Sequence, residues 1–535
     1  MKTLFKKTGL GALVALSLVM AQSSCTKDYD VYNSNPNGLT DADLQKDNIS
    51  AGIFLPEMQV NVAYCKTNDD YIYQLQQNLN ADIFSGYFAP PGDFGGPNNS
   101  TYALKTGWNL WPFKVGYSGI MNSWREVRKR ATANPQYIAV ADILKVEGMH
   151  RVTDVYGPIP YTKFGTGVLS TPYDDQKTVY TTFFAELDGA IKVLSDFVAK
   201  NSGDNSLARF DLVYDGNVKQ WLKFANSLKL RLAIRISYAD PALAKTKAEE
   251  AVNDPNGLLL TNADNALVIA GKGVPTRNGL WVDDISYKDT RMNASAESIL
   301  KGFSDPRLSK YFNLSTIVPG DYKGVRNGIS FSGKPDGYVN SSSSSLKEST
   351  PVQYMCAAEV SFLRAEGALK GWNMGGTAQS FYAEGVKLSF EQVNASGLDV
   401  YLANNTGTQA PYTDPINAAN NVPANSPLLS KITVKWDEGA SIEQKLERII
   451  TQKWIAIFPD GMEAWSEFRR TGYPKIFPVV NNQSGGTIDT DKQIRRLPFS
   501  DDEYKNNKEE VTKAIPLLGG GPDNGGTKLW WDKKN

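Results

Sequence analysis

The sequence predicts a mostly α-helical fold, in which pairs of helices form a scaffold and long loop-rich segments with few short strands lie between them. Two observations predict it. Long stretches rich in Gly, Pro, Asn and aromatic residues, typical of functional loops, separate the regular segments. In those segments apolar residues recur at intervals of three and four, the spacing of an amphipathic helix. The segments are 120–133, 138–155, 177–200, 217–238, 355–371, 378–393 and 442–458.

The helical segments follow one another in pairs, and small residues recur where two helices would touch. Ala357, Ala358, Ala365 and Ala368 are examples on one segment. Paired helices of this length favour tetratricopeptide-like units, which stack to bury a shared core. The sequence shows no clear repeat of about 34 residues, the length that defines such units, so the prediction rests on the pairing of the helices.

Composition excludes some classes of function. The chain has 535 residues, with 57 Lys plus Arg against 57 Asp plus Glu, and therefore no formal net charge. Nucleic-acid binding needs a surplus of basic residues, so nucleic acid is not an expected partner. His150 is the only histidine in the sequence, which excludes a metal site built on a histidine pair. It lies in a helical segment, and we expect a structural role for it.

The N-terminus has the pattern of an export signal. Basic residues precede an apolar stretch at 10–21, and Ser23 and Ser24 stand before Cys25. A short apolar stretch with these flanks is a secretory signal rather than a membrane span. A Cys after small residues favours lipoprotein processing, and an ordinary signal peptide with an incidental Cys is the alternative. The predicted organisation is a signal peptide at 1–24, a lipidated Cys25 with a flexible tether over 25–47, and a single domain over 48–535.

Two further cysteines, Cys65 and Cys356, lie in the body of the chain. One possible pair is not a disulfide framework. Cys356 lies in an apolar helical run, which favours a buried free thiol. Whether the two pair is left open by the sequence.

Several short motifs in a fixed order resemble one family. Residues 156–161 read YGPIPY at the end of a predicted helix, and residues 305–307 read DPR. The tail matches best, with ERIITQKW at 447–454, GMEAW at 461–465, RRTGYP at 469–474, RRLP at 495–498 and LWWD at 529–532. Together with the lipoprotein signal, these motifs resemble the SusD/RagB family of outer-membrane nutrient-binding lipoproteins of Bacteroidetes.

The resemblance implies a non-enzymatic binding protein. Its fold would be a single SusD-like domain with tetratricopeptide-like helix pairs on one side and a ligand-binding loop face on the other. It would be lipid-anchored in the outer membrane, exposed at the cell surface, and a partner of a TonB-dependent (SusC-like) transporter. Family ligands are usually oligosaccharides, and some members take peptides. The ligand face in the family is drawn from an early loop and a mid-chain loop.

Two loop-rich insertions, near 86–112 and 272–350, carry the residue types that sugar binding requires. A sugar offers apolar faces for aromatic stacking and hydroxyls for amide, carboxylate or guanidinium groups. The same aromatic residues would also suit plain packing of the loops, which is the alternative for each. The candidate ligand-binding residues are Tyr87, Asp93, Asn98, Trp108, Asn109 and Trp111 in the first insertion, and Arg277, Asn278, Trp281 and Asp283 in the second.

Other functions have weaker support. A glycoside hydrolase needs two carboxylates at a set separation, and nothing in the sequence marks such a pair. No catalytic residue or cofactor is predicted. Calcium at Asp283 and Asp284 with Asp289 is an alternative, but the spacing lacks the EF-hand pattern. The arginine pairs at 469–470 and 495–496 favour salt bridges that fix the tail to the helices, with an anion site as the alternative.

Overall fold

The computed structural model describes residues 48–168, 170–201, 203–269, 274–331 and 337–534. The predicted signal peptide at 1–24, the lipidated Cys25 and the tether over 25–47 lie outside the described residues. The residues from Ala51 onward form one compact unit.

The architecture is mostly helical, as the sequence predicts. The longer helices are α1 (Phe54–Val62), α2 (Asn122–Arg130), α3 (Pro135–Tyr156), α4 (Gln176–Lys200), α5 (Val218–Arg235), α6 (Pro241–Asn253), α7 (Ala294–Gly302), α8 (Ala357–Leu369), α9 (Ala378–Gln392), α10 (Ile442–Ala456) and α11 (Gly461–Thr471). The short α-helical turns are Ile49–Gly52, Tyr71–Tyr73, Thr106–Asn109, Trp111–Val115, Gly279–Trp281, Leu308–Tyr311, Leu398–Leu402, Asp501–Asn506 and Lys508–Ala514.

Other backbone forms fill the connections. Among the described residues, three segments are π-helical, namely Gln74–Asp82, Gly116–Met121 and Val282–Ser286. Short 3₁₀ turns are Asn99–Thr101, Ala208–Phe210, Asn262–Asp264, Tyr338–Asn340, Ala418–Asn420 and Ile515–Leu518. The strands are β1 (Phe88–Ala89), β2 (Ala266–Val268), β3 (Arg291–Met292) and β4 (Val352–Met355), and they pair antiparallel as β1 with β3 and β2 with β4.

The helices pack in consecutive pairs, which confirms the predicted scaffold. α3 packs on α4, α4 on α5 and α5 on α6, and in the second half α8 packs on both α9 and α10. Side chains mark several of their starts, because an acceptor oxygen at the first position satisfies a backbone N–H that has no partner within the helix. Asp175, Asn217, Asp240, Thr377 and Ser441 serve in this way.

Sequence periodicity misses some helices and shifts several boundaries by two or three residues. The helix predicted at 120–133 starts as the π-helical Gly116–Met121 and ends at Arg130. α6 escapes prediction because it buries only a narrow stripe of small residues, Ala244, Ala248 and Ala251. Its start is nevertheless marked by an Asp followed by a Pro, a favoured first helical residue.

A network of buried ion pairs joins helices that are distant in sequence. Arg231 of α5 bonds Glu359 of α8 at 2.7 Å and lies 3.3 Å from Glu147 of α3. Lys453 of α10 bonds Glu463 of α11 at 2.8 Å. All of these side chains are buried. Lys453 and Glu463, which belong to the tail motifs at 447–454 and 461–465, therefore form ion pairs inside the scaffold.

His150 belongs to the same buried layer. Its ring nitrogens lie 3.3 Å from Glu147 and 3.6 Å from Asp154. Burial acts to lower the pKa of the imidazole, but the two adjacent carboxylates outweigh it and the pKa is raised. Cys65 and Cys356 are also buried, and both are free thiols.

Arginines form ion pairs between two helices and within the C-terminal tail. Arg470 bonds Glu366 at 2.6 Å, which joins α11 to α8, whereas Arg495 bonds Asp532 at 2.6 Å and Arg496 bonds Asp523 within the tail. The contact of Arg496 with the scaffold is a hydrogen bond, which it donates to the Tyr156 carbonyl at 2.8 Å. The arginine pairs therefore form salt bridges, but these three do not join the tail to the helices as expected. Within the described part of the chain, the structure contains no helix that combines the length and apolarity needed to cross a membrane.

A candidate ligand cleft where the two insertions meet

The short ladder between β1 and β3 brings the two loop insertions together. Phe88 pairs with Met292 and Ala89 with Arg291. Asn293 extends the contact, because its backbone N–H donates to the Tyr87 carbonyl at 2.9 Å and its side-chain amide to the Phe88 carbonyl at 3.2 Å. The early and mid-chain insertions therefore adjoin, as the family resemblance implies.

Beside this ladder lies an open cleft of about 180 Å³. The early insertion, the mid-chain insertion and the tail each contribute a wall. The lining residues are Asp93, Gly96, Pro97, Asn98, Ser100 and Thr101, then Ile329, Ser330 and Phe331, and finally Asn481 and Gln483.

A small hydrophobic cluster supports the mid-chain wall. Ala89, Val325, Ile329 and Tyr338 are buried together, and Phe331 packs against them. The Phe331 ring meets Tyr338 edge-on, with centroids 5.7 Å apart. Phe331 is only partly buried, so it presents an apolar surface to the cleft above a packed base.

Asn98 fixes the turn that forms the opposite wall. Its side-chain amide nitrogen donates to the Asp93 carbonyl at 2.8 Å and to the Gly96 carbonyl at 3.2 Å. Its side-chain oxygen accepts from the Ser100 N–H at 2.9 Å. The side chain is buried, and we conclude that it shapes the wall rather than pointing its amide at a ligand.

Asn99 ties the same loop to the helix beneath it. Its amide nitrogen lies 2.8 Å from the Leu79 carbonyl and 2.8 Å from the side-chain oxygen of Asn109, and its own side-chain oxygen accepts from the Lys105 N–H at 3.0 Å. Asn109 is buried and its carbonyl accepts the Tyr156 hydroxyl. Asn109 is therefore a support of the loop, and the expectation that it contacts ligand is corrected.

Trp108 stands at the edge of the early insertion with its ring half-buried. Phe94 meets it edge-on at 5.4 Å, and the Lys105 ammonium lies 5.4 Å from the ring centroid. Phe94 has φ of 53°, a left-handed conformation that bulky residues rarely adopt. Asp93 braces this turn, because its carboxylate accepts from the Gly95 N–H at 2.9 Å.

A second aromatic pair lies on neighbouring turns. Trp111 meets Tyr71 edge-on at 5.5 Å, and the Lys114 ammonium lies 4.4 Å from the Trp111 centroid. Tyr71 is 45% exposed. Arg277 is paired with Asp70, its Nε lying 2.6 Å from the carboxylate, so its charge is already balanced.

Two more predicted residues are structural. Tyr87 is 1% exposed, its hydroxyl donates to the Trp454 carbonyl, and its ring lies 4.6 Å from that of Trp454. It packs the core and does not reach the surface. Asn278 is buried and starts the turn Gly279–Trp281, because its side-chain oxygen accepts the Trp281 N–H at 3.1 Å. It positions Trp281, whose ring remains half-buried.

Asp283 is fully buried and cannot contact a ligand in this structure. Neither of its carboxylate oxygens has a hydrogen-bond partner among the described residues. Burial and the nearby Asp82 raise the pKa of its carboxyl well above the usual range. Asp82, which accepts from Gln77 at 3.0 Å, has a pKa raised by burial to about 7.

The acidic residues proposed for calcium do not converge on one point. Asp284 bonds Arg291 at 2.7 Å, and Asp289 accepts from Gln74 at 3.0 Å. Among the described residues, the structure shows no group of three potential metal-binding side chains placed to hold an ion.

Sequence reasoning missed part of the cleft. Phe331, Asn481 and Gln483 lie on its walls, and Tyr71 stands beside Trp111. Gln483 donates its N–H to the Thr101 carbonyl at 2.7 Å, which joins the tail to the early insertion. The run NNQSGG at 481–486, placed after two apolar residues, is a loop signal that would have indicated the tail wall.

Known proteins of this fold match nearly the whole chain. A chitin-binding SusD homologue from Flavobacterium johnsoniae is 45% identical, with a TM-score of 0.86 over 91% of this chain and 99% of that chain. A SusD homologue from Bacteroides uniformis is 43% identical, with a TM-score of 0.83 over 91% and 99% of the two chains. A SusD-like protein from Bacteroides thetaiotaomicron is 37% identical, with a TM-score of 0.83 over 90% and 98%. No curated protein sequence matches the chain.

The model of the SusD-like family, described as Susd and RagB outer membrane lipoprotein, matches residues 31–532. This range includes both insertions, every wall of the cleft and the tail motifs. The chain therefore belongs to the SusD-like family of outer-membrane lipoproteins.

Proposed function

We propose that this protein captures oligosaccharides at the cell surface and delivers them to a TonB-dependent outer-membrane transporter. The observation that carries the proposal is the convergence of both insertions on one cleft that combines amide side chains with the partly buried ring of Phe331. Gln483 offers a side-chain amide and Asn481 its side-chain oxygen, since the Asn481 amide nitrogen already donates to Gly328 and Ser330, while Phe331 offers an apolar face. Trp108 stands on the adjoining turn.

The size of the cleft favours a ligand longer than the cleft itself. Its volume of about 180 Å³ is below the roughly 300–1,000 Å³ of enclosed small-molecule pockets. One part of an extended glycan would occupy the cleft, and neighbouring units would lie across Trp108 and Phe94. A stacked aromatic ring contributes about 0.5–1.5 kcal/mol beyond its buried area, which suits reversible capture.

The related protein from F. johnsoniae, described as chitin-binding, makes chitin oligosaccharides the first ligands to test. Binding without turnover is proposed because Asp93 is the one carboxylate among the described residues that line the cleft. Glycoside hydrolysis requires two carboxyl groups flanking the scissile bond.

Anchoring would come from acyl chains on Cys25. Each buried CH₂ contributes about 0.8 kcal/mol, so several chains together hold a protein at a membrane. The tether over 25–47 would then let the body reach a transporter in the same membrane.

Calorimetry tests the proposal. The mature chain from Cys25 onward, purified in detergent, would be titrated with chitin oligosaccharides, other neutral oligosaccharides and tryptic peptides. We expect one glycan class to bind, and Trp108→Ala to weaken it about tenfold, the effect of losing roughly 1.4 kcal/mol. Trp372→Ala, which removes a half-buried Trp at the end of α8, is the matched control and leaves the affinity unchanged.

Three outcomes contradict the proposal. Binding of peptides alone would replace oligosaccharide capture with peptide capture. Release of shortened sugars from the bound glycan would show an enzyme. Equal loss of affinity in the Trp108 and Trp372 variants would show that the glycan does not bind at the cleft beside Trp108.

A further inference from the structure

A second and larger cleft lies between the end of α11 and the C-terminal tail. Its volume is about 520 Å³, within the roughly 300–1,000 Å³ of small-molecule sites. It shares no lining residue with the cleft between the insertions. Its walls come from residues 468–478, residues 491–495, residues 528–534 and Pro427 with Leu428.

Basic residues dominate these walls. Three arginines and four lysines line the cleft, against the single carboxylate of Asp491. Two of the arginines form ion pairs with carboxylates that do not line the cleft. Arg470 bonds Glu366 at 2.6 Å, and Arg495 bonds Asp532 at 2.6 Å. Lys534 is likewise paired with Glu443.

The remaining cations have no such partner. Within the described residues, no carboxylate lies within the 4.0 Å ion-pair distance of Lys475, Lys492 or Lys528. Lys492 is exposed, and the other two are partly buried. Burial lowers the pKa of Lys528; the Asp532 carboxylate, which is already paired with Arg495, acts against this, while the positive charges of Arg495 and Lys492 lower the pKa further. An anion in the cleft would balance this excess.

Arg469 adds a buried positive charge that has no carboxylate within the 4.0 Å ion-pair distance among the described residues. Its guanidinium stacks on Trp465 with 3.5 Å to the ring centroid, and it donates to the Arg495 carbonyl at 2.9 Å and the Ser466 hydroxyl at 2.9 Å. Burial lowers its pKa well below the usual range; the charges of Arg495 and Arg235 act in the same direction, and the more distant carboxylates of Asp154 and Asp532 only partly oppose them. Unbalanced buried charge is costly, and a bound anion would lower that cost.

The cleft also has an apolar side. Leu428, Phe468 and Ile476 stand among its lining residues. A bare inorganic ion would leave this side without contact, whereas a molecule with a carbon body would cover it.

We propose that this cleft binds a small organic anion, in which a carboxylate, sulfate or phosphate group meets Lys475, Lys492 and Lys528 while a sugar-sized body packs against Phe468 and Ile476. This site is separate from oligosaccharide capture in the other cleft and does not depend on it. Acidic saccharides are a ligand class with this chemistry and of a size that fits a cleft of about 520 Å³.

The test is calorimetric titration of the mature chain from Cys25 onward, in detergent and at low ionic strength. The probes are a uronic-acid disaccharide, a sulfated disaccharide, the uncharged disaccharide of the same size, and inorganic phosphate and sulfate. We expect the acidic disaccharides to bind at least tenfold more tightly than the uncharged one, and added salt to weaken them because it screens charge.

The decisive variant is Lys492→Gln/Lys528→Gln, which removes two lysines that have no ion-pair partner. Since each of these lysines would give the anion a charge-assisted hydrogen bond, we expect acidic probes to bind at least about tenfold more weakly. The matched control is Lys129→Gln/Lys310→Gln, which removes two exposed lysines elsewhere and has no effect on binding. Melting temperatures of both variants should equal that of the wild type.

The proposal is overturned if acidic and uncharged disaccharides bind alike, or if the two double variants behave alike. Inorganic phosphate or sulfate binding as tightly as the acidic disaccharides would also overturn it, because the apolar wall would then have no role. Titration of the same variants with neutral oligosaccharides separates the two sites, since loss of anion binding should leave neutral glycan binding intact.

Discussion

The side-chain amide nitrogen of Asn99 lies 2.8 Å from the side-chain oxygen of Asn109, and this contact joins the two halves of the early insertion. Asn99 also reaches the Leu79 carbonyl at 2.8 Å, which ties the insertion to the π-helical segment below it. Trp108 directly precedes Asn109, so the backbone position of Trp108 depends on this buried amide pair, while its ring contacts Phe94. Buried polar groups thus support the turn that carries Trp108, the aromatic residue proposed to contact a ligand.

Replacement of Asn99 tests this dependence. Asn99→Leu removes the amide that joins both halves of the loop and leaves the buried Asn109 oxygen without that partner. We expect a loss of about 1–3 kcal/mol in the free energy of unfolding and a weaker glycan affinity, measured by denaturant titration and calorimetry. Asn201→Leu, an exposed substitution at the end of α4, serves as the control. Unchanged glycan affinity in Asn99→Leu would show that the loop is positioned by other contacts.

The buried ionic layer makes a second prediction. Arg231→Met removes a guanidinium that bonds Glu359 at 2.7 Å and lies 3.3 Å from Glu147. Both carboxylates then remain buried with less compensation, so we expect the free energy of unfolding to fall by about 3–5 kcal/mol. Urea unfolding followed by circular dichroism measures it.

The comparison for Arg231 is an exposed pair. Lys192 bonds Asp196 at 2.8 Å on the surface of α4, where solvent and salt screen the interaction. We expect Lys192→Met to leave the urea concentration at the midpoint of unfolding unchanged. An equal effect of the two substitutions would mean that burial does not set the strength of the Arg231 network.

The scaffold was predictable because its signal is local. The segment predicted at 177–200 is a helix at Gln176–Lys200, and that predicted at 378–393 ends at Gln392. Periodic apolar residues and an N-terminal cap specify such helices from nearby sequence alone. The π-helical segments are different, because no apolar period marks the extra residue in each turn.

The cleft was only partly predictable because burial in loops is decided by distant chain segments. Trp108 and Tyr87 lie in the same insertion and have similar aromatic character, yet Tyr87 packs on Trp454 and Trp108 stays half-buried. Asn481, which lies on the tail wall of the cleft, follows Trp108 by more than 350 positions in the chain. Composition pointed to two insertions that both line the proposed cleft, and the three-dimensional structure separated their supporting residues from their surface residues.

The free thiols give a third prediction. Burial raises the pKa of both Cys65 and Cys356 to about 12, so neither forms the reactive thiolate near neutral pH. In a Cys25→Ser chain we expect almost no reaction with a thiol reagent under native conditions, and two thiols to react after denaturation, since the sequence holds three cysteines. Denatured protein that shows no reactive thiol without a reducing agent would contradict the structure, because it would reveal a disulfide.

The buried carboxyl of Asp283 makes the last prediction, which concerns pH. Its pKa in the folded protein lies well above the value of about 3.9 for an unfolded chain. Above about pH 4 the unfolded chain releases this proton while the native protein keeps it, so the native state binds more protons and stability falls as pH rises. Asp283→Asn cannot titrate and loses this contribution. We expect the melting temperature of the wild type to fall more steeply than that of the variant from about pH 4 to about pH 8, with Asp82 contributing equally to both.

The control for this pH series is Asp437→Asn, which makes the same change at an exposed position. Its melting curve against pH should run parallel to that of the wild type. Parallel curves for Asp283→Asn as well would show that Asp283 is ionised or solvated in the folded protein. Glycan titration of Asp283→Asn completes the test. Because the Asp283 side chain is not exposed to solvent, we expect the variant to bind glycan as tightly as the wild type. An affinity lower by about tenfold would show that Asp283 contributes to the ligand site after all.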